Sequence, residues 1–460
     1  MNPADLSIAE VGAKFRDGSL TSLALCQAAI ERIRARDGAI HAFVELDEES
    51  ALTEAVAADR AFADGVDRGA LQGVPIGVKD LVDVRGMRTR CGSGVPNGGP
   101  SADDAAVVAR LREAGAVMVG KLATYEFALV GPSFDTPFAP VRNPWSLQHI
   151  TGGSSSGPAA AVAGGMLRTA IATDTGGSIR SPSGYCGVVG LKPTNGRVPV
   201  AGVHPLSPSL DVVGPISASV AEAALTLDAL VGTSAWGRPQ AASQLGRPIE
   251  GLRIGYARAW FVADPSGDAA VIRAVDEMAS QLSLLGARIE ETAMPDYPLC
   301  EACGAVILHA EALLAHEDAM RRHGERYGRL AWQSLASGLV LTPDDLSLAK
   351  RVAAALRDEL DQGPLARFDA LLTANTLSPA PPFSAFDGRN AVWTAMRTIA
   401  FNVTGHPALA LPCDFKGALP LGAQLVGRAY DEATLCQIGD ALERASAFAA
   451  APKPRLEEAV

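Results

Sequence analysis

The sequence predicts an α/β layered fold, and three observations carry that expectation. Short apolar runs at 74–78, 116–119, 169–173 and 188–191 are bounded by glycine-rich turns, as buried strands are. Helical patterns such as 105–114 fall between them, and strands alternating with helices form layers on a sheet. The composition, with 48% hydrophobic and 20% charged residues over 460 positions, is that of a globular chain able to bury a sizeable core.

Taken in order, residues 6–70 read as helices. Ser7 with Glu10 makes a capping box, and Leu25, Ala29, Ile30 and Ile33 share one face at helical spacing. Residues 252–256 and 369–375 read as further strands, and 298–362 between them is almost all helical pattern, a variable helical layer over the site. Residues 407–412 and 423–426 read as two last strands, followed by a helix over 431–447. No low-complexity linker or internal repeat divides the chain, so a single domain over 1–460 with an inserted helical region is the economical reading.

Charge and cysteine usage exclude some functions. With 40 Lys and Arg against 51 Asp and Glu, the net charge of −11 offers no basic footprint for nucleic acid or an anionic membrane. The seven cysteines are scattered, which suits a reducing compartment and makes cytoplasm the expected location. Cys300-x-x-Cys303 has the spacing of a redox or zinc pair, but its flanks read as helix and no second pair lies nearby. The first residues show no secretory pattern, and the small-apolar stretch 157–173 is too short and interrupted to span a bilayer.

Two motifs imitate other chemistries. Gly115 to Lys121 has P-loop spacing, but Leu122 stands where magnesium needs a hydroxyl, and the segment runs from helix into strand, the reverse of a phosphate cradle. Gly153-Ser-Ser155-Ser-Gly157 satisfies the nucleophile elbow of α/β hydrolases, with His406 as the obvious later histidine. The seven histidines show no metal-binding spacing.

Three segments carry the chemistry: Gly73-Val-Pro-Ile-Gly-Val-Lys79-Asp80, Gly152-Gly-Ser154-Ser155-Ser-Gly-Pro158 and Asp174-Thr175-Gly176-Gly177-Ser178-Ile-Arg180. Each sets a reactive side chain beside glycines, which let a backbone approach a substrate closely. Lys79 closes an apolar run heading into the core. A buried lysine loses solvation of its ammonium form, so its pKa falls from about 10.4 toward neutrality and it becomes a usable base without histidine. The consecutive amides of Thr175, Gly176, Gly177 and Ser178 are candidates for an oxyanion hole, where each well-aimed donor contributes about 2.7 to 4 kcal/mol.

These segments resemble the amidase signature family, which includes the A subunits of glutamyl-tRNA amidotransferases, malonamidase and fatty acid amide hydrolase. The resemblance runs on through Gly86 to Ser93, Asn143-Pro-Trp145, Gly190 to Thr194 and Leu421 to Gly427. It is strong over 70–235, good over 395–447 and nearly absent over 290–390. It implies a mixed central β-sheet wrapped by helices, and a hydrolase of amide-like C–N bonds. It also implies Lys79 as base, Ser154 as a relay serine following a cis peptide, and Ser178 as nucleophile. Asp174, Arg180 and Ser155 take supporting places, Asp174 and Arg180 as a buried pair holding the loop.

That chemistry calls for no metal and no cofactor, and the family habit is a homodimer. A small amide, carbamate (urethane) or urea fits the site class. Trp332, Leu335, Leu339 and Leu341 suggest an apolar lining and an apolar or aromatic substrate. The rival is the A subunit of a tRNA-dependent amidotransferase. The acidic residue by which such subunits grip the glutamine amino group falls on Ala395 here, when aligned on Phe401-Asn-Val-Thr-Gly405.

Overall fold

A computed structural model describes residues 2–232 and 238–446. Residues 233–235, at the end of the strongly matching segment, and Ala447, the expected end of the last helix, lie outside the described residues. In chain order the strands are β1 (Phe43–Leu46), β2 (Pro75–Lys79), β3 (Val117–Leu122), β4 (Arg142–Asn143), β5 (Ser146–Ile150), β6 (Thr169–Asp174), β7 (Val189–Lys192), β8 (Val212–Ser217), β9 (Arg253–Tyr256), β10 (Arg288–Glu291), β11 (Ala370–Ala374), β12 (Ala408–Lys416) and β13 (Leu419–Gly427).

Eleven of them form one sheet in the order β1-β3-β2-β6-β8-β7-β12-β13-β11-β9-β10, while β4 and β5 make a separate small hairpin. The sheet is mixed. β3, β2 and β6 run parallel, as do β11, β9 and β10, and the strands joining these groups pair antiparallel. Every residue of β2, β3, β6, β7, β8 and β11 is buried, which explains why such strands read as unbroken apolar runs rather than alternating ones.

The N-terminal expectation needs correction. Helices Ile8–Arg16, Ser22–Ile40 and Glu48–Ala63 form, the first with the Ser7/Glu10 capping box, but strand β1 separates the second from the third. Its Phe-Val-Glu-Leu is too short to show a period, and it is held by edge pairing with β3, Phe43 opposite Leu122. β8 and β10 are likewise additions to the expected strands. The expected helical layer is Tyr297–His323, Arg329–Ala336 and Pro343–Gln362. The first of these lies within a span long and apolar enough by composition to cross a membrane. It packs one face into the core through Cys300, Cys303, Ile307 and Ala312, and buries Glu311 and His316.

What matters for the site is one edge. β2 and β6 are parallel neighbours, with Val78 opposite Ile171, so Lys79 and Asp174 close their strands at the same end of the sheet, Asp174 two residues further along. In open α/β sheets the crevice at such carboxyl ends is where ligands bind.

Candidate active site

Lys79 is fully buried, and its Nζ is surrounded by three hydroxyls: Ser154 Oγ at 2.9 Å, Ser155 Oγ at 2.9 Å and Thr173 Oγ1 at 2.7 Å. Ser155 Oγ in turn donates to the Thr173 carbonyl at 3.0 Å. Burial pulls the Lys79 ammonium down to about 7, against the opposing fields of Asp174 and Asp211. Near neutrality the amine therefore has a lone pair to offer. Because the Ser155 proton is committed to a carbonyl, Ser154 and Thr173 are the hydroxyls free to donate back to it.

Thr173 lies outside the residues expected to act at the site, although the signal for it is present. Successive strand residues point to opposite faces, so Thr173 meets Lys79 while Asp174 turns to the other side.

Asp174 anchors the next loop. It accepts from Arg180 Nη2 and Nε, both at 3.0 Å, from Asn402 Nδ2 at 2.8 Å, and from the amides of Gly177 at 2.8 Å and Ile179 at 3.0 Å. Burial alone would raise its pKa, but Arg180, Lys192 and Asn402 outweigh that and hold the carboxyl well below the usual range. Arg180 also donates to the Thr398 carbonyl at 2.8 Å, Asn402 Oδ1 at 2.6 Å and Gln424 Oε1 at 3.2 Å. The pair is thus fully buried and multiply bonded, the condition under which buried charges persist.

One expectation about the oxyanion hole is corrected. The Gly177 amide is spent on Asp174, which leaves those of Thr175, Gly176 and Ser178 as candidates to face a developing anion. Gly177 has φ +132, and a Cβ there would strike the Thr398 side chain, so only glycine serves.

The peptide Gly153–Ser154 is cis, and the ring of Tyr125 lies where a Cβ on Gly153 would sit. The Ser178 carbonyl accepts from the Ser155 amide at 3.2 Å, which ties the two serine-bearing loops together. Ser154, Thr175, Gly176, Gly177 and half-buried Ser178 all line one small cavity of about 60 Å³.

The rest of that cavity is uncharged and mostly apolar: Leu129, Val130, Ile150, Leu206, Leu308 and Met396, with Trp393 at 60% exposure and Val392 at 39%, beside the hydroxyl-bearing Tyr125, Ser181 and Thr394. Among the described residues it has no Asp, Glu, Lys, Arg or His. A larger cavity of about 360 Å³, bordered by Trp145, Arg168, Met278 and Glu443, contains none of the site residues.

The expected lining from Trp332, Leu335, Leu339 and Leu341 is corrected. Leu335 is core, Trp332 and Leu339 are exposed, and none of the four borders the cavity. Gly338 packs the segment that follows Trp332 and Leu335 against His309 and Leu313 of the long helix, so it lies over that helix and away from the cavity. Leu308 is what that helix contributes. Ala395 packs into the core, and Arg397 turns away to Asp264 at 2.6 Å. The decoys also find structural places: Lys121 pairs with buried Asp80 at 3.0 Å, and His406 bonds Asp361 and Thr404.

A family model described as Amidase matches residues 24–436. The chain belongs to the amidase family. The chain is 36% identical to the A subunit of the glutamyl-tRNA(Gln) amidotransferase of Roseiflexus sp. (strain RS-1), over 95% of this chain and 96% of that one. Its fold superimposes on the crystal structure of an amidase with a TM-score of 0.84 at 34% identity, covering 96% of this chain and 100% of the other. It superimposes on native peptide amidase from Stenotrophomonas maltophilia with a TM-score of 0.84 at 29% identity, covering 98% of each. The chain is therefore a C–N hydrolase or an amidotransferase component of that family, built on the mixed sheet and helical wrap of those structures.

Proposed function

We propose that this amidase hydrolyses a small, uncharged amide with an apolar or aromatic group, through an acyl-enzyme on Ser178. Carbamates and ureas are allowed by the same chemistry. Neutral Lys79 takes the proton of Ser154, Ser154 takes that of Ser178, and Ser178 Oγ attacks the carbonyl. The negative oxygen is met by the amides of Thr175, Gly176 and Ser178. Collapse breaks the C–N bond while the relay returns a proton to the leaving nitrogen, which an amide needs because an amine anion leaves poorly. Water then takes the place of the amine, is deprotonated by the same relay, and frees the acid and Ser178.

The observation that carries this reading is the uncharged cavity wall. Glutamine brings an ammonium and a carboxylate, and burying charge without a partner is costly. A second reading, the ammonia-releasing A subunit of an amidotransferase acting on glutamine, is favoured by the names of its curated relatives, 33–38% identical over most of the chain.

Amine release from an anilide, an aryl carbamate, a neutral primary amide and glutamine separates the two. The hydrolase reading expects glutamine to be the poorest substrate, by about 100-fold or more in kcat/KM, equivalent to roughly 2.7 kcal/mol. Glutamine turned over best, above all only with added subunits, supports the second.

Two further outcomes are expected. First, kcat/KM should rise with pH through an apparent pKa near 7, because Lys79 acts as a base only when neutral and its ammonium form dominates below that value. A pH–rate profile flat through neutrality removes Lys79 from the role. Second, Trp393→Ala should raise KM for the anilide about tenfold by removing apolar contact, and leave a short aliphatic amide within about twofold. Equal effects on both substrates mean that the indole does not touch the variable group.

A further inference from the structure

One acid beside the site has no part in the relay just described. Asp211, which immediately precedes β8, is half-buried beside the nucleophile loop. Its Oδ1 accepts from Thr175 Oγ1 at 2.6 Å, and its Oδ2 accepts from the amides of Leu206 and Ser207 at 2.9 and 3.0 Å. Thr173 and Thr175 project from the same end of β6. Thr173 meets Lys79, Thr175 meets Asp211, and both border a small cavity shared with Leu81, His204 and Asp211.

The segment that Asp211 closes is tied to the helical layer as well. Glu311 of the long helix accepts from Ser207 Oγ at 2.7 Å and from the Ser209 amide at 2.9 Å, and pairs with Lys350 at 2.7 Å.

We propose that Asp211 is a positioning residue for this site, anchoring Thr175 and the amides that follow it, and adding a negative charge that opposes loss of the Lys79 proton. The inference rests on the hydrolase reading of Lys79 and Ser178. A carboxylate drawn partly out of water with no cation bonded to it carries a desolvation cost and persists where its hydrogen bonds are needed. All three of its bonds here go to the two loops that wall the cavity.

The groups facing this pair of charges are Lys79, Asp174, Glu311, His204 and Cys91. Burial raises Asp211 to about 6, against the pull of Thr175 and the two amides, close to the value of about 7 for Lys79, so the two titrations overlap and the Asp211 anion gains population as Lys79 loses its proton. An anion nearby favours the Lys79 ammonium. Removing the anion must therefore move the Lys79 titration to lower pH.

The test is the pH dependence of Ser178 labelling by a fluorophosphonate, which reads nucleophile activation without needing the natural substrate. Asp211→Asn is expected to label about tenfold more slowly at its plateau, with the acid limb displaced downward by roughly half a pH unit or more. An acid limb that superimposes on the wild type overturns the electrostatic role.

If Asp211→Asn does not fold, Thr175→Val and Thr175→Ser carry the test. Valine should slow labelling about tenfold and serine should restore it, since only serine returns the hydroxyl. Valine labelling at the wild-type rate overturns the positioning role. Absence of labelling in the wild type, compared with Ser178→Ala as blank, overturns the hydrolase reading itself and the inference with it.

Discussion

Ser178→Ala is expected to cut amide turnover by about 10⁴- to 10⁶-fold while leaving the fold and substrate binding nearly unchanged, because removing a nucleophile costs about as much as removing the whole relay. The side chain is half-buried at the cavity wall, so losing one oxygen there disturbs little packing. Lys79→Met belongs to the same experiment. It keeps the volume of the buried chain but removes the base, and should lower kcat by about 10² to 10⁴-fold. Ser155→Ala is the control that separates two reactions. If Ser155→Ala is the dead variant and Ser178→Ala retains activity, the glycine–serine elbow at 153–157 is the nucleophile site and the relay read through Ser154 is wrong. Single-turnover kinetics with an activated ester, measured beside the steady state, show which serine carries the acyl group.

The largest loss of stability is expected at Arg180→Met, about 3–5 kcal/mol, because it leaves the Asp174 carboxylate buried without its cation. Three further acceptors, the Thr398 carbonyl, Asn402 Oδ1 and Gln424 Oε1, lose their donor in the same change. Arg180→Lys should recover only a small part, since an ammonium cannot span both Asp174 oxygens and those acceptors at once. Guanidinium unfolding midpoints of the three chains measure this directly. Equal midpoints for wild type and Arg180→Met would mean that the pair adds nothing net to the fold. The paired change Arg180→Met with Asp174→Leu should be milder than the single one, as it removes both charges together.

The contrast between Lys79 and Trp332 shows how much of the molecule is legible in its sequence. Lys79, Ser154 and Ser178 are readable because short glycine-bearing segments place each at the end of a strand or in a tight loop, so local sequence and spatial position coincide. The alternation of strands and helices is readable for a similar reason: β2, β3 and β6 are buried throughout and show as apolar runs. β1 and β10 are not, because four residues at a sheet edge are selected by their pairing partners and leave no period of their own. The cavity wall is also hidden. Trp332 and Trp393 are equally aromatic in sequence, and only the packing of 337–340 against the long helix turns one away while the other reaches the cavity. Asp211 belongs to no recognisable motif, and its importance becomes visible only when Thr175 and Leu206 are seen to share its two oxygens.

The bonds from Arg180 to Thr398, Asn402 and Gln424 join partners 218 to 244 residues apart. A chain emerging N-terminus first from the ribosome has made its lysine, both serines and the strands beneath them long before these partners exist. Until residues 398–424 arrive, the Arg180 and Asp174 pair lacks these partners, and Asp174 holds the nucleophile loop through the Gly177 and Ile179 amides without them. On the hydrolase reading, reactivity is thereby deferred to the last stage of synthesis, and fragments released early would carry the lysine and both serines without a finished site to use them.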